Sequence, residues 1–128
     1  MPSSPCLRPI RVMCTGRVDP GFVLKALTSG ADGVLLAGCH PGDCHYQEGN
    51  YKCLRRALMI KKMLEAFGID PRRLRLEWVS ASEADKFARV SLEMEAQIRE
   101  LGPLDLKLEP SVVTPVAPEQ PLAAATAE

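Results

Sequence analysis

The chain has 128 residues, of which 25% are charged and 46% apolar, so its length and composition fit one packed domain rather than a disordered chain. A net charge of zero and an aromatic content of 5% argue against a nucleic-acid-binding surface. No run of about 18 apolar residues predicts a membrane span, and the N-terminus lacks the hydrophobic stretch of a secretory signal.

Residues 9–103 are predicted to alternate between strands and helices. The first strand is expected over Ile10–Cys14, and the pair Asp19-Pro20 is typical of a helix start, with an N-cap followed by proline. Gly33–Gly38 is a continuous apolar run bounded by glycines, which predicts a strand buried on both faces.

The second half of this region continues the same alternation. We expect a long helix over about residues 50–67, a third strand over residues 73–79, and a last helix that ends near Leu101, before which Ser80–Glu83 forms a capping-box pattern. This order predicts an α/β fold, flavodoxin- or Rossmann-like, in which helices cover both faces of a small parallel sheet. The sheet is expected to have three strands, or four if the N-terminus or a partner chain adds one.

The two ends of the chain differ from this pattern. Residues 1–8 are interpreted as an N-terminal arm, and residues 104–128, rich in proline and alanine, as a disordered tail or docking arm. Five cysteines without a secretory signal indicate a reducing compartment, so we expect a cytoplasmic protein.

The cysteines are placed where the predicted strands end. Cys14 ends the first strand, Cys39 follows the second, and Cys44 lies five residues further along the loop Cys39–Tyr46. Functional groups of parallel sheets gather at the carboxyl ends of the strands, so these three thiols are expected to meet. Thiolates are soft ligands that suit an iron–sulfur cluster or zinc.

A [2Fe–2S] cluster usually takes four cysteines, which leaves a fourth ligand to be found. Cys53 begins the next predicted helix close to the strand ends, although its helical row fits core packing equally well. Cys6 precedes Cys14 by eight residues, roughly 26 Å if extended, so only a fold-back or a partner chain would bring it in. The predicted cofactor-binding set is therefore Cys14, Cys39, Cys44 and Cys53, with no catalytic residue.

Two other sites remain open on the residues alone. Zinc held by the three thiols and either His40 or His45 is a direct competitor of a cluster. A cysteine–histidine pair at a strand end also suits a thiol-redox enzyme, but the sequence offers neither a substrate domain nor a dinucleotide fingerprint.

Several segments resemble the delta (iron–sulfur) subunit of methyl-viologen-reducing hydrogenase. They are Cys14–Pro20, Gly30–Val34, Gly38–Tyr46, Gly49–Tyr51, Arg55-Arg56 and Leu76–Glu83, and the similarity spans about residues 9–103. The resemblance implies a non-catalytic electron-transfer subunit of an anaerobic complex. One [2Fe–2S] cluster would relay electrons from an upstream donor module to the A-like flavin subunit of heterodisulfide reductase. By position, Cys14, Cys39 and Cys44 match cysteines of the family.

Members of that family usually begin with a further segment that carries a Cys-x-x-Cys pair. We expect this chain to lack that segment, because it starts too late to include it. Three expectations follow: Cys53 or Cys6 replaces the lost ligand, a partner supplies it, or the site holds zinc or no metal and the chain is a structural or docking subunit.

Overall fold

In the computed structural model, which describes residues 5–44 and 48–106, helices cover both faces of a parallel two-stranded sheet. The elements in chain order are α1 (Pro20–Thr28), β1 (Val34–Gly38), α2 (Gly49–Ala66), β2 (Leu74–Trp78) and α3 (Ala84–Leu101), with 3-10 turns at Thr15–Arg17 and Pro71–Arg73. The predicted loop residues His45 and Tyr46, and residues 107–128 of the predicted tail, lie outside the described residues.

The two strands define one register and two faces. Val34 pairs with Leu74 and Gly38 with Trp78, and the Val79 N–H extends the ladder by donating to the Gly38 carbonyl at 2.7 Å. Because side chains alternate along a strand, Leu36 and the other even-numbered residues of both strands point to one face. The predicted parallel sheet with helices on both faces is confirmed.

The main core lies between that face and the helices α1 and α2. The apolar residues of α2 recur every three or four positions, so they form one face of the helix, and this face points into the core. The buried cluster consists of Val23, Leu27, Leu36, Cys53, Ala57, Ile60, Leu64, Ile69 and Leu74. Leu104 and Leu106, at the start of the predicted tail, pack against this core.

The start of α1 follows from its sequence. The Asp19 carboxylate accepts a hydrogen bond from the Gly21 N–H at 2.7 Å, and Pro20 occupies the first helical position, where its missing N–H is not needed. The predicted cap is confirmed.

Helix α3 covers the opposite face of the sheet. Gly33 lies against the side chains of Met94 and Ile98, and Arg75 of β2 donates to Glu93 at 2.9 Å. The helix starts at Ala84, and the predicted capping box is formed in part. The Glu83 carboxylate accepts the Ser80 N–H at 3.1 Å, but the Ser80 hydroxyl bonds the Ser82 hydroxyl rather than a helical N–H. None of the helices in the described part is long and apolar enough to cross a membrane.

The end of α3 is tied to the sheet by a buried cation. The Arg73 guanidinium is almost fully buried and donates to the carbonyls of Asp32 at 2.8 Å and Gly102 at 2.9 Å. Charged side chains are rarely buried without partners, and here carbonyl oxygens from two connecting segments supply them.

The first predicted strand is wrong: residues 10–14 form no ladder, so the described sheet has two strands and not three or four. Ile10 and Met13 are 84% and 77% exposed, and most of the segment from Cys6 to Val12 lines a cleft of about 840 Å³ beside β1. Pro9 lacks a donor for pairing, and Arg11 interrupts the apolar run, which weakens this segment as a strand. The flavodoxin- or Rossmann-like topology stays a prediction, since two strands define no strand order.

Candidate functional site

Three cysteine side chains meet beyond the carboxyl end of β1. The sulfurs of Cys14 and Cys44 are 3.8 Å apart, and the Cys39 thiol interacts with both of them. The structure therefore brings together the three thiols that the sequence placed there, although Cys14 arrives on an irregular segment rather than on a strand.

The backbone around each cysteine is shaped locally. Cys14 is extended and caps the 3-10 turn that follows it, and its sulfur accepts the Gly16 N–H at 3.4 Å. In the other loop, Gly42 adopts a positive φ of 93°, which permits the turn between Cys39 and Cys44. Glycine thus has a different role in each loop, since Gly42 permits the turn and Gly16 supplies an N–H donor to sulfur.

The surroundings of Cys39 disfavour ionisation of its thiol. Burial raises the pKa of the Cys39 thiol, and a hydrogen bond with Cys44 and the nearby Cys44 and Cys14 thiols raise it further. Neighbouring thiolates repel one another, and a cationic group bound between them relieves that repulsion. The donor set is therefore suited to a soft metal centre.

Two glycines, Gly16 and Gly49, keep the region behind the Cys14 and Cys44 sulfurs free of side chains. A Cβ atom on Gly49, the first residue of α2, would overlap the Cys14 sulfur and lie 3.2 Å from the Cys44 sulfur. A Cβ atom on Gly16 would lie 2.7 Å from the Gly49 Cα. The 3-10 turn and the start of α2 therefore touch through their backbones, directly behind two sulfurs.

The three cysteines share one open space. It measures about 270 Å³ and is lined by Val12, Met13, Cys14, Thr15, Ala37, Gly38, Cys39, Asp43 and Cys44. Among the residues that the structure describes, no three Cys, His, Asp or Glu side chains are arranged as a ready site for a single metal ion. As they stand, the thiols border a space rather than enclose one ion.

Cys53 lies directly behind this space, inside the hydrophobic core. Its side chain is 1% exposed, and burial raises the pKa of its thiol. The Thr15 hydroxyl and the Arg56 cation lower that pKa, and nearby Cys14 raises it. Cys53 is thus a neighbour of the three site thiols and also packs as a core residue.

Cys6 is placed at the other end of the molecule. It interacts with Arg99 near the end of α3, whereas the start of α3 contacts the site through a bond between Glu83 and His40. Glu83 and Arg99 are sixteen positions apart, which corresponds to about 24 Å along the helix axis. Cys6 therefore does not join the other thiols.

The histidine expected as a zinc ligand has another partner. The Nε2 atom of His40 bonds the Glu83 carboxylate, and this bond together with the Ser80 N–H lowers the pKa of Glu83 to about 2. The second candidate, His45, lies outside the described residues.

Two polar side chains of the site were not recognised from the sequence. Asn50 is fully buried and donates to the carbonyls of Cys39 at 3.5 Å and His40 at 2.9 Å. Thr15 is 7% exposed, and its buried hydroxyl, without a nitrogen or oxygen partner in the described part of the chain, lies against the Cys53 thiol. Both residues lie in segments that resemble the hydrogenase subunit family, Cys14–Pro20 and Gly49–Tyr51, but neither interrupts a helical or strand pattern, so no periodicity indicates either role.

Comparison with known proteins gives a consistent group of relatives. The family model described as methyl-viologen-reducing hydrogenase, delta subunit, matches residues 1–102. The chain is 58% identical over 99 residues to an iron-sulfur subunit of the F420-non-reducing hydrogenase of Archaeoglobus profundus, a match that covers 77% of this chain and 72% of the relative. It is 52% identical over 103 residues to the vhc iron-sulfur subunit of the F420-non-reducing hydrogenase of Methanococcus voltae, covering 80% and 72% respectively.

Another kind of relative carries the matching region within a much larger chain. The A-type subunit of the ferredoxin:CoB-CoM heterodisulfide reductase of Methanosarcina mazei is 43% identical over 103 residues. That match covers 80% of this chain but 13% of the relative.

Proposed function

The chain belongs to the family of methyl-viologen-reducing hydrogenase delta subunits, and from this premise we propose that it is an electron-transfer subunit that holds a [2Fe–2S] cluster. The observation that carries the proposal is the convergence of Cys14, Cys39 and Cys44 around one open space. Its volume of about 270 Å³ leaves room for a group larger than a single ion.

Cys14, Cys39 and Cys44 would hold the cluster, and Cys53 is proposed as the fourth ligand because it is the next thiol behind them. When bound, a [2Fe–2S] cluster supplies one-electron transfer at a potential set by its ligands, hydrogen bonds and solvent exposure. The chain contributes the Gly16 N–H as a donor to sulfur, and glycine at position 49 leaves room for two ligands.

The partner is proposed from the fused relative. In Methanosarcina mazei the matching region is part of the A-type chain of a heterodisulfide reductase. A domain that is covalently joined to such a chain in one protein is expected to dock on it where the two are separate. We therefore propose that the electron acceptor is an A-like flavin subunit of a heterodisulfide reductase, that an upstream module donates the electrons, and that the complex is cytoplasmic.

A structural or docking subunit, with zinc or no metal, is the second candidate. One observation favours it: Cys53, the proposed fourth ligand, is 1% exposed and belongs to the hydrophobic core. Metal content separates the two candidates, because only the first requires iron.

A set of cysteine variants tests the cluster assignment. Cys14→Ser, Cys39→Ser and Cys44→Ser are expected to lose most bound iron and the visible absorption of the anaerobically purified chain, because each removes a thiolate ligand. Cys6→Ser is the matched control and should keep both. Wild-type iron content in any of the first three variants would contradict the role of that residue, and equal loss in the control would contradict a local site.

Docking is tested separately with the A-type chain of the Methanosarcina mazei heterodisulfide reductase, from which the matching domain has been removed. Co-elution with this chain on size exclusion is expected. Failure to co-elute would contradict the partner without affecting the cluster assignment.

A further inference from the structure

Two side chains of α2 reach the loops that carry the site cysteines. Asn50 donates to the carbonyls of Cys39 and His40, and Arg56 donates from Nη1 to the carbonyls of Gly16 and Val18. We propose that Asn50 and Arg56 are positioning residues that attach both cysteine loops to one helix and so set the distances between the sulfurs. The proposal rests on the proposed function in that these distances are those of cluster ligands.

Arg56 fixes the segment that follows Cys14. Its half-buried guanidinium binds the Gly16 carbonyl and, at 3.2 Å, the Val18 carbonyl, so it holds the middle of the short 3-10 turn and the residue that follows it. These bonds have a charged donor and are stronger than neutral ones. Because Cys14 is extended and belongs to no strand, such side-chain contacts take the place of a ladder in holding it.

Asn50 fixes the segment that begins with Cys39. Its amide nitrogen donates to the His40 carbonyl at 2.9 Å, while its amide oxygen accepts the Tyr51 N–H at 3.0 Å. Both ends of a fully buried amide are thereby engaged, which leaves the side chain one orientation. The turn after β1 is thus attached to the first turn of α2.

The two contacts share one rigid support. Asn50 and Arg56 are six residues apart on α2, about 9 Å along the axis, and the close approach of Gly16 to Gly49 seats the 3-10 turn against the start of this helix. Since α2 packs into the core through Cys53, Ala57 and Ile60, a displacement of either loop requires breaking a contact to a fixed element.

The proposal is tested on the full-length, metal-free chain by disulfide formation with diamide. Diamide takes two electrons and two protons from a pair of thiols as the sulfur–sulfur bond forms. The rate for each pair depends on the thiolate fraction and on how often the sulfurs meet, so each rate is divided by the thiolate fraction obtained from alkylation rates against pH. Arg56→Gln is expected to slow the Cys14–Cys44 pair by about tenfold, since a charge-assisted hydrogen bond is typically worth about 1.4 kcal/mol or more. The Cys39–Cys44 pair should keep its rate.

Asn50→Leu should give the complementary pattern. It keeps the approximate size of the side chain and adds no charge but loses the amide donor, so pairs with Cys39 are expected to slow while Cys14–Cys44 does not. Arg55→Gln changes the neighbouring exposed arginine and is the matched control, with wild-type rates expected. Arg56→Lys replaces Arg56→Gln if the latter fails to fold, and circular dichroism checks each variant.

Selective slowing of the named pairs supports the proposal. Unchanged rates, equal slowing of all pairs, or the same effect in Arg55→Gln would overturn it, because a change in overall stability does not distinguish between pairs. The assay contains no iron, so its result is independent of whether the wild-type chain binds a cluster. In iron-loaded chains, the two variants should also broaden the EPR signal of the reduced state relative to wild type.

Discussion

Gly49→Ala separates the need for space at the sulfurs from the ordinary behaviour of a helix. An alanine Cβ at this position would lie 3.2 Å from the Cys44 sulfur and overlap the Cys14 sulfur. Heavy atoms in contact prefer about 3.5 Å or more, so the Cys14 sulfur must move by about 1 Å. Metal sites tolerate deviations of only about 0.2 Å, and we therefore expect the variant to lose most of its iron.

The same substitution has little effect on the folding of the metal-free chain. Gly49 is the first residue of α2, where the advantage of alanine over glycine is smaller than the ~1 kcal/mol of a helix interior, and the displaced Cys14 thiol is partly exposed, so both effects on folding are small. Urea unfolding should therefore give a free energy within about 1 kcal/mol of wild type. Gly21→Ala is the control, since its Cβ would contact only the Asp19 carboxylate at 3.0 Å. Wild-type iron content in Gly49→Ala would refute the assignment of this space to cluster ligands.

Three further substitutions test other contacts. The pKa of Glu83 is lowered from 4.5 to about 2 by its bond to His40, so it stabilises the fold above pH 4.5 and this stabilisation is lost as the pH falls towards 2. Glu83→Gln should flatten the dependence of melting temperature on pH in that window, and an unchanged slope would contradict the pair. Arg73→Met should lower the free energy of unfolding by about 2–3 kcal/mol in urea, because buried carbonyls lose a charged donor; a change below about 0.5 kcal/mol would contradict this. Thr15→Val should raise the pKa of the Cys53 thiol, measured by alkylation rate against pH in the metal-free chain, whereas Thr15→Ser should not.

Much of the fold was predictable because its signals are local. The Asp19-Pro20 cap, the glycine-bounded run of β1 and the inward row of α2 each specify an element without knowledge of its neighbours. A strand is different, because it exists only when another strand pairs with it. Residues 10–14 have a strand-like composition, but in the described structure they form no ladder with β1.

The site was predictable to the level of cysteines but not of their supports. Thiols placed after strands indicate a site, and Cys14, Cys39 and Cys44 do meet. Asn50 and Arg56 act through backbone carbonyls that are distant in sequence, and no periodicity encodes such a contact. Residue spacing does not decide between core packing and a ligand role for Cys53, because the inward face of α2 contacts both the core and the site.

The central claim is that this family member holds a two-iron cluster with its own thiols. The most direct measurement is the iron and zinc content of the anaerobically purified protein, in complex with its partners, together with its EPR spectrum. About two iron atoms per chain and a rhombic signal that appears on reduction are predicted. An intact complex whose chain contains zinc or no metal, without that signal, would contradict the claim and favour the docking role.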